Sequence, residues 1–173
     1  MLATAHFRHC PNCGAPSAPG ANPFRCPVCA FTFYFNPTVS AGAFLSDGAG
    51  RLLAIRRARD PGKGLLGIPG GFIDIGETAE AALRREVREE VGLEIADVRF
   101  LGSFTNEYFY KGVTYPVCDL LFLGLAVEPE TARSLDGVAG LEWRPLGSYR
   151  EDEFAFGSMK AALRQLRGEA EGH

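Results

Sequence analysis

Three glutamates, Glu86, Glu89 and Glu90, stand at i, i+3 and i+4 in a run free of glycine and proline. On a helix, at about 100° per residue, their carboxylates project within one narrow sector. Like charges at that spacing repel, and a solvated acidic face is the ordinary explanation. Two features set this cluster apart. A further carboxylate, Glu77, lies just ahead of the run, and an adjacent glycine pair, Gly70-Gly71, precedes it. Hard divalent cations bound through carboxylate oxygen would offset the repulsion. Mg²⁺, or Mn²⁺ in its place, is the natural choice, because it keeps several waters and completes its shell with substrate phosphate oxygens.

A second constellation lies at the N-terminal end. Cys10-Pro-Asn-Cys13 and Cys26-Pro-Val-Cys29 are two C-x2-C pairs with twelve residues between them. Four thiolates in this pattern suit a tetrahedral, closed and therefore structural Zn²⁺ site, with iron in the same four sulfurs as the alternative. A redox dithiol would explain one pair but not two. The segment around them is crowded with Pro, Gly and Asn and has no apolar periodicity, so it cannot bury enough surface to fold without a metal. Cys118 stands apart in a strand-like run and reads as a buried small hydrophobe.

The elements that must position these residues follow from periodicity. Residues 31–35, 38–45 and 51–58 read as strands, the last two joined through Asp47-Gly-Ala-Gly50 as a hairpin. Residues 59–66 are loop-like, and residues 68–72 are short and irregular around the glycine pair. The glutamate run is a helix with Thr78 as N-cap and Gly92 at the left-handed C-terminal position. Leu83, Val87 and Val91 form its buried stripe. Strands at 98–108 and 115–127, a loop at 128–140, a strand at 141–143 and an amphipathic helix at 156–166 complete the chain. This order predicts a layered α/β arrangement with a mixed sheet.

Gly71-Phe-Ile-Asp-Ile-Gly-Glu77, followed by Arg85-Glu-Val-Arg-Glu-Glu90-Val-Gly-Leu93, matches G-x5-E-x7-R-E-U-x-E-E-x-G-U, with U apolar, at all nine defined positions over twenty-three residues. The chain thereby resembles the Nudix hydrolase family, and Gly67-Ile-Pro-Gly70 resembles the usual approach to that box. The resemblance implies an α/β/α sandwich over residues 36–173, preceded by a zinc ribbon over residues 1–35. It implies Glu77, Glu86, Glu89 and Glu90 as Mg²⁺ ligands, with Gly71 letting the backbone approach the metal or diphosphate. Arg85 resembles the arginine that pairs with a box glutamate and orients it, and the box glutamates with Arg85 form the implied catalytic set. Gly71 read without the family is a tight turn needing positive φ.

The ribbon resembles that of NADH pyrophosphatases and of a shorter subgroup that includes FAD and ADP-ribose hydrolases, and Tyr34-Phe-Asn-Pro37 resembles their junction. The S-Q-P-W-W type motif of NADH pyrophosphatases is replaced here by Ser103-Phe-Thr-Asn-Glu-Tyr108, whereas Phe154-Ala-Phe-Gly-Ser158 is closer to the shorter subgroup. The expected activity is Mg²⁺-dependent cleavage of a nucleoside diphosphate linked to another group, of ADP-ribose, FAD or NAD(H) type. The alternatives are a nucleoside triphosphate pyrophosphatase and a non-catalytic nucleotide sensor. Arg56 and Arg57, with Arg59, are candidate phosphate clamps, and Tyr108 is a candidate for stacking on a base. Glu107, Asp119, Asp136 and Glu142 are available as a general base.

The bulk properties agree with this reading. At 173 residues, 46% hydrophobic, with a formal net charge of −3, the chain has room for one ordinary domain and a small appendage. The longest apolar stretch, residues 120–127, falls far short of the roughly 20 residues a membrane-spanning helix needs, and no secretory leader pattern is present. A cytoplasmic protein with a small-molecule nucleotide substrate is expected. Nucleic-acid binding has little support, since the ribbon holds only Arg8 and Arg25 as fixed cations. For the ribbon, a partner-binding role and homodimerisation both stay open.

Overall fold

The computed structural model describes residues 2–171, so residues 1 and 172–173 of the expected domain ranges lie outside the described residues. The chain divides into two compact units, Met1–Thr38 with Glu107–Pro116, and Val39–Asn106 with Val117–His173. The first unit thus contains the cysteine-rich segment and also the tip of a distant hairpin.

Within the first unit, β1 (Phe24–Arg25) and β2 (Thr32–Phe33) pair antiparallel, Phe24 opposite Phe33. The strand expected over residues 31–35 is only two residues long. Its continuation is satisfied instead by one side chain, since the Asn22 amide donates to Phe35 O at 3.1 Å and its carbonyl accepts from Phe35 N at 3.1 Å. The apolar centre is Cys10, Phe24 and Cys26, flanked by Phe7, Phe31 and Phe35. Phe7 meets Phe24 and Phe35 edge to face, at 5.7 and 4.6 Å between ring centroids. The hairpin tip turns at Lys111 and Gly112, with φ of 46° and 84°, the pair of left-handed residues a two-residue turn requires.

The second unit is built on a sheet, although Thr38, Glu107–Tyr110 and Val113–Pro116 of its strands belong to the first unit. The strands are β3 (Thr38–Ser46), β4 (Arg51–Arg57), β5 (Leu66–Gly67), β6 (Gly70–Phe72), β7 (Glu94–Tyr110), β8 (Val113–Val127) and β9 (Val138–Pro145). They follow the order β5-β4-β3-β8-β7, with β6 on β3 and β9 on β4. The expected β3–β4 hairpin is present, with Leu45 opposite Leu53. Both faces of this mixed sheet are covered, which is why its central strands read as nearly continuous apolar runs. On one face Ala41, Ala43, Leu45, Leu53, Ile55 and Phe122 pack with Ala82, Leu83, Val87 and Val91 of α1 (Ala79–Val91). On the other face Phe44, Ala54 and Leu121 pack with Ala162, Leu163 and Leu166 of α2 (Gly157–Glu171). The alternation of Phe44 with Ala43 and Leu45 assigns each strand residue to one helix or the other.

Four expectations are corrected. β7 begins at Glu94 rather than residue 98, because Asp97 at φ 49° interrupts the alternation that marks a strand. β9 covers Val138–Pro145 and pairs with β4 along its length, beyond the 141–143 expected, a pairing hidden by Gly140. α2 continues to Glu171. Cys118 is half-buried, since it lies on the α1 face where Leu120 is already only partly covered.

Candidate active site

The site is organised by α1. Thr78 Oγ1 accepts from Ala81 N at 3.2 Å, and Gly92, at φ 70°, closes the helix with its N–H on Arg88 O. Both caps are those expected from the sequence. Leu83, Val87 and Val91 are fully buried, each contributing roughly 1.5–3 kcal/mol of apolar burial, and they lock the helix on the sheet, which fixes the direction in which the glutamates project. Sequence reading missed the support at the C-terminal end. Arg133, Leu135 and Asp136 donate their backbone N–H groups to the carbonyls of Val91, Glu90 and Glu89, at 3.1, 3.0 and 3.3 Å. That loop satisfies carbonyls a helix end leaves over and fixes the backbone carrying two of the carboxylates.

Arg85 is the centre of the cluster. It donates to Glu77 from two nitrogens, at 3.0 and 2.9 Å, to Glu86 at 2.7 Å, to Glu89 at 3.3 Å and to Phe72 O at 3.1 Å. The i to i+4 pair with Glu89 is therefore the longest of its carboxylate hydrogen bonds, and Asp74 lies farther off, as an ion pair at 4.0 Å. Hydrogen bonding to Glu77 and Glu86 raises the guanidinium pKa, and Arg85 in turn holds the Glu77 carboxyl below the usual range. Burial pushes Glu86 upward against the pull of Arg85. Burial also pushes Glu90 up to about 8, opposed by its hydrogen bond from Gly70 N and by the charge of Arg57. That Gly70 bond is 3.0 Å long.

The two glycines have separate reasons to be glycine. A Cβ on Gly71 would land on the Glu86 carboxylate, and one on Gly70 would strike the backbone of Ala41 and Gly42. Close approach, rather than a left-handed turn, is what Gly71 provides. The positive φ of 153° belongs to Gly70.

Of the other expected residues, Arg56 is taken up by Glu142 and by Gly64 O at 2.7 Å. Arg57 donates its Nε to Pro61 O at 2.8 Å and lies over the Phe156 ring at 4.8 Å. Tyr108 belongs to the first unit, its ring 6.4 Å from that of Tyr110. Among the candidate bases, Asp119 is buried and accepts from Ser40, Asp136 pairs with Arg59 at 2.7 Å, and Glu142 pairs with Arg56 and Arg144.

The four cysteine sulfurs of the first unit lie within 4.8 Å of one another, with Cys10–Cys29 at 3.7 Å and Cys13–Cys26 at 3.6 Å. A tetrahedron of sulfurs at the Zn–S distance of about 2.3 Å has edges of about 3.8 Å, so the spacing fits a four-thiolate metal shell. Backbone N–H groups of Asn12, Val28 and Cys29 point at the sulfurs of Cys10 and Cys26 at 3.4 Å. The Asn12 amide on Cys29 Sγ is the main influence holding that thiol down to about 6, whereas Cys13, against the Ala15 backbone hydrogen bond, is pushed up to about 12 by Cys29 and by burial, so the four sulfurs titrate as one cluster. The carboxylates form no such tight cage among the described residues. That also suits Mg²⁺, which takes few protein ligands and leaves the rest to water and phosphate.

These features agree with similarities elsewhere. Over 76 residues the chain is 38% identical to an ADP-ribose pyrophosphatase of Methanocaldococcus jannaschii, covering 44% of each protein. Over 98 residues it is 34% identical to a Pseudomonas fluorescens protein named NAD-capped RNA hydrolase NudC, covering 56% of this chain and 35% of that one. The matched segments span less than half the length of these relatives. A MutT NUDIX hydrolase from Burkholderia pseudomallei superposes with a TM-score of 0.63 at 27% identity, over 75% of this chain and 98% of that one. The NUDIX domain itself matches residues 36–166; with the box, the glycine pair, both helices' packing faces and the sheet between them inside that span, the chain belongs to the Nudix family.

Proposed function

We propose that the protein is a Mg²⁺-dependent pyrophosphohydrolase that cleaves the diphosphate of a nucleoside diphosphate linked to another group, with ADP-ribose the leading substrate and FAD and NAD(H) of the same class. The observation that carries this reading is the gathering of Glu77, Glu86, Glu89 and Glu90 around a single guanidinium. An anionic diphosphate cannot approach four carboxylates set against one arginine unless cations intervene, so the cluster makes sense as a cation-loaded platform. The Nudix family is generally dependent on divalent metals. The relative named ADP-ribose pyrophosphatase, 38% identical over the matched segment, supports the choice of substrate.

Glu86, Glu89 and Glu90 would hold the catalytic metal, with Glu77 as an additional ligand and Gly71 leaving room for it. Bound there, Mg²⁺ supplies charge neutralisation of the diphosphate and a lowered pKa for an attacking water. Arg85 holds the Glu77 carboxyl ionised and orients both Glu77 and Glu86, and the Gly70 N–H fixes one oxygen of Glu90, whose other oxygen would be available as a ligand. Arg57 retains terminal nitrogens for phosphate, whereas Arg56 is occupied by Glu142. In the first unit, Cys10, Cys13, Cys26 and Cys29 would hold Zn²⁺ as a closed structural site. Four free thiols kept for metal suit a reducing compartment, hence the cytoplasm.

The test is incubation with Mg²⁺ and ADP-ribose, NADH, FAD, nucleoside diphosphate sugars or nucleoside triphosphates, followed by chromatography of the products. Two monophosphates from ADP-ribose are expected. Glu89→Gln and Glu90→Gln should each lose more than the roughly 10–100-fold typical of removing a metal's outer partner. Release of inorganic pyrophosphate from triphosphates alone would transfer the assignment to triphosphate pyrophosphatase. Silence with every substrate, from folded protein, would favour a sensor.

A further inference from the structure

The end of β4 and the residues after it carry Arg56, Arg57 and Arg59, and the fold uses them differently. Arg56 is taken up by Glu142 and Gly64 O, and Arg57 gives its Nε to Pro61 O. Arg59, its side chain 70% exposed, meets Asp136, 72% exposed, at 2.7 Å. An ion pair so exposed contributes at most about 1 kcal/mol to stability, so the fold gains little from it. Its place is nonetheless fixed by backbone on both sides.

The β4–β9 ladder pairs Arg57 with Val138, and Ala58 N donates to Gly137 O at 2.9 Å. In that antiparallel register the next opposed residues are Arg59 and Asp136, so the two side chains meet as cross-strand neighbours. Asp136 and Gly137 are the centre of a turn closed by Val138 N on Leu135 O at 3.2 Å, with Gly137 at φ 71°. The same turn is bound to the C-terminal end of α1, Leu135 N donating to Glu90 O at 3.0 Å and Asp136 N to Glu89 O at 3.3 Å. Asp136 lies near enough to Glu90 that its charge adds to the burial raising that carboxyl. The turn thereby ties Arg59 to the segment of α1 that carries Glu89 and Glu90. Arg59 reaches Asp136 through Nη2, and among the described residues its Nε and Nη1 carry no hydrogen bond.

We propose that Arg59 is the guanidinium that clamps a phosphate of the diphosphate substrate, and that Asp136 is its positioning residue, holding one nitrogen and leaving the remaining donors for phosphate oxygens. This rests on the pyrophosphohydrolase reading above for the identity of the anion. A guanidinium has five N–H donors, and a single carboxylate oxygen occupies one of them. A long exposed side chain loses rotamer freedom when it grips an anion, and fixing one of its nitrogens in advance removes part of that loss. The turn sets this arginine beside the α1 glutamates, where a diphosphate held through their cation would lie.

The test measures, by calorimetry on the full chain with Mg²⁺, the binding of α,β-methylene-ADP, a nucleoside diphosphate whose P–C–P bridge resists cleavage. Arg59→Ala is expected to weaken binding about tenfold, the scale of one hydrogen bond to a charged group. Arg59→Lys should recover only part of that, since it keeps the charge without the planar set of donors. Asp136→Asn is expected to weaken binding about threefold in the parent and to have no further effect in an Arg59→Ala background, the coupling expected when one residue acts through the other. Arg150→Ala, which breaks another exposed arginine–aspartate pair, should bind as the parent does. Each variant should melt within roughly 4 °C of the parent, given the small worth of exposed pairs. No binding by the parent, or binding by Arg59→Ala as tight as the parent's, overturns the clamp. Tighter binding by Asp136→Asn overturns the positioning role, by showing that Asp136 competes with phosphate for Arg59. Hydrolysis of ADP-ribose with KM unchanged in Arg59→Ala overturns the clamp and keeps the pyrophosphohydrolase reading, whereas Arg59-dependent probe binding without hydrolysis of any substrate keeps the clamp and removes that reading.

Discussion

Arg85 donates five hydrogen bonds around one point, and no other cation can reproduce that geometry. Its two-nitrogen grip on Glu77 and its bond to Glu86 need a planar fork, so Arg85→Lys preserves charge while releasing at least one carboxylate. We expect activity to fall roughly 10–100-fold, with a matching rise in the Mg²⁺ concentration needed for half-maximal rate. Gly71→Ala makes a different point. The added methyl falls on the Glu86 carboxylate, the end of a flexible side chain that can swing away, so the expected result is weakened Mg²⁺ activation with little change in Tm. If Gly71→Ala instead unfolds the protein, the glycine serves the backbone and not the carboxylate.

Among the elements, α1 does most of the positioning, and its ends and its stripe are separable. Thr78→Ala removes the side-chain oxygen that accepts from Ala81 N and should cost about 1 kcal/mol in denaturant melts, the usual worth of such a cap. Metal-saturated activity should survive, because Leu83, Val87 and Val91 still hold the helix on the sheet. This helix was legible in the sequence in nearly every respect, since caps, stripe and glutamate spacing are all local, depending on residues a few positions apart. β9 and the start of β7 were not legible. Gly140 and the left-handed Asp97 break the local pattern, and these strands exist because neighbouring strands offer them backbone partners. The loop that donates to the carbonyls of Glu89, Glu90 and Val91 carries no sequence signal for the same reason.

For the molecule as a whole, the two units differ in what keeps them folded. The second has two apolar clusters, one on each face of its sheet. The first has two cysteines and one phenylalanine as its fully buried centre, far too little to offset chain entropy without a metal. Stripping metal from the four cysteines with a chelator, or Cys13→Ser, should therefore expose the backbone amides of residues 10–35 to hydrogen exchange while those of α1 stay protected. A structural zinc contributes on the order of 10–16 kcal/mol in small metal-folded peptides, enough to account for such a loss. Loss of protection in α1 to the same extent would show that the units fold as one. The sequence by itself determined the chemistry whose members lie close along the chain: the four cysteines, the box glutamates with Arg85, and the helix that displays them. Only the tertiary structure decided what joins distant residues. It occupied Arg56 with Glu142, laid Arg57 on Phe156, and placed the Glu107–Pro116 hairpin tip in the cysteine-rich unit. Such contacts depend on the order in which strands enter the sheet, and that order is set by burying both of its faces at once, not by any local pattern.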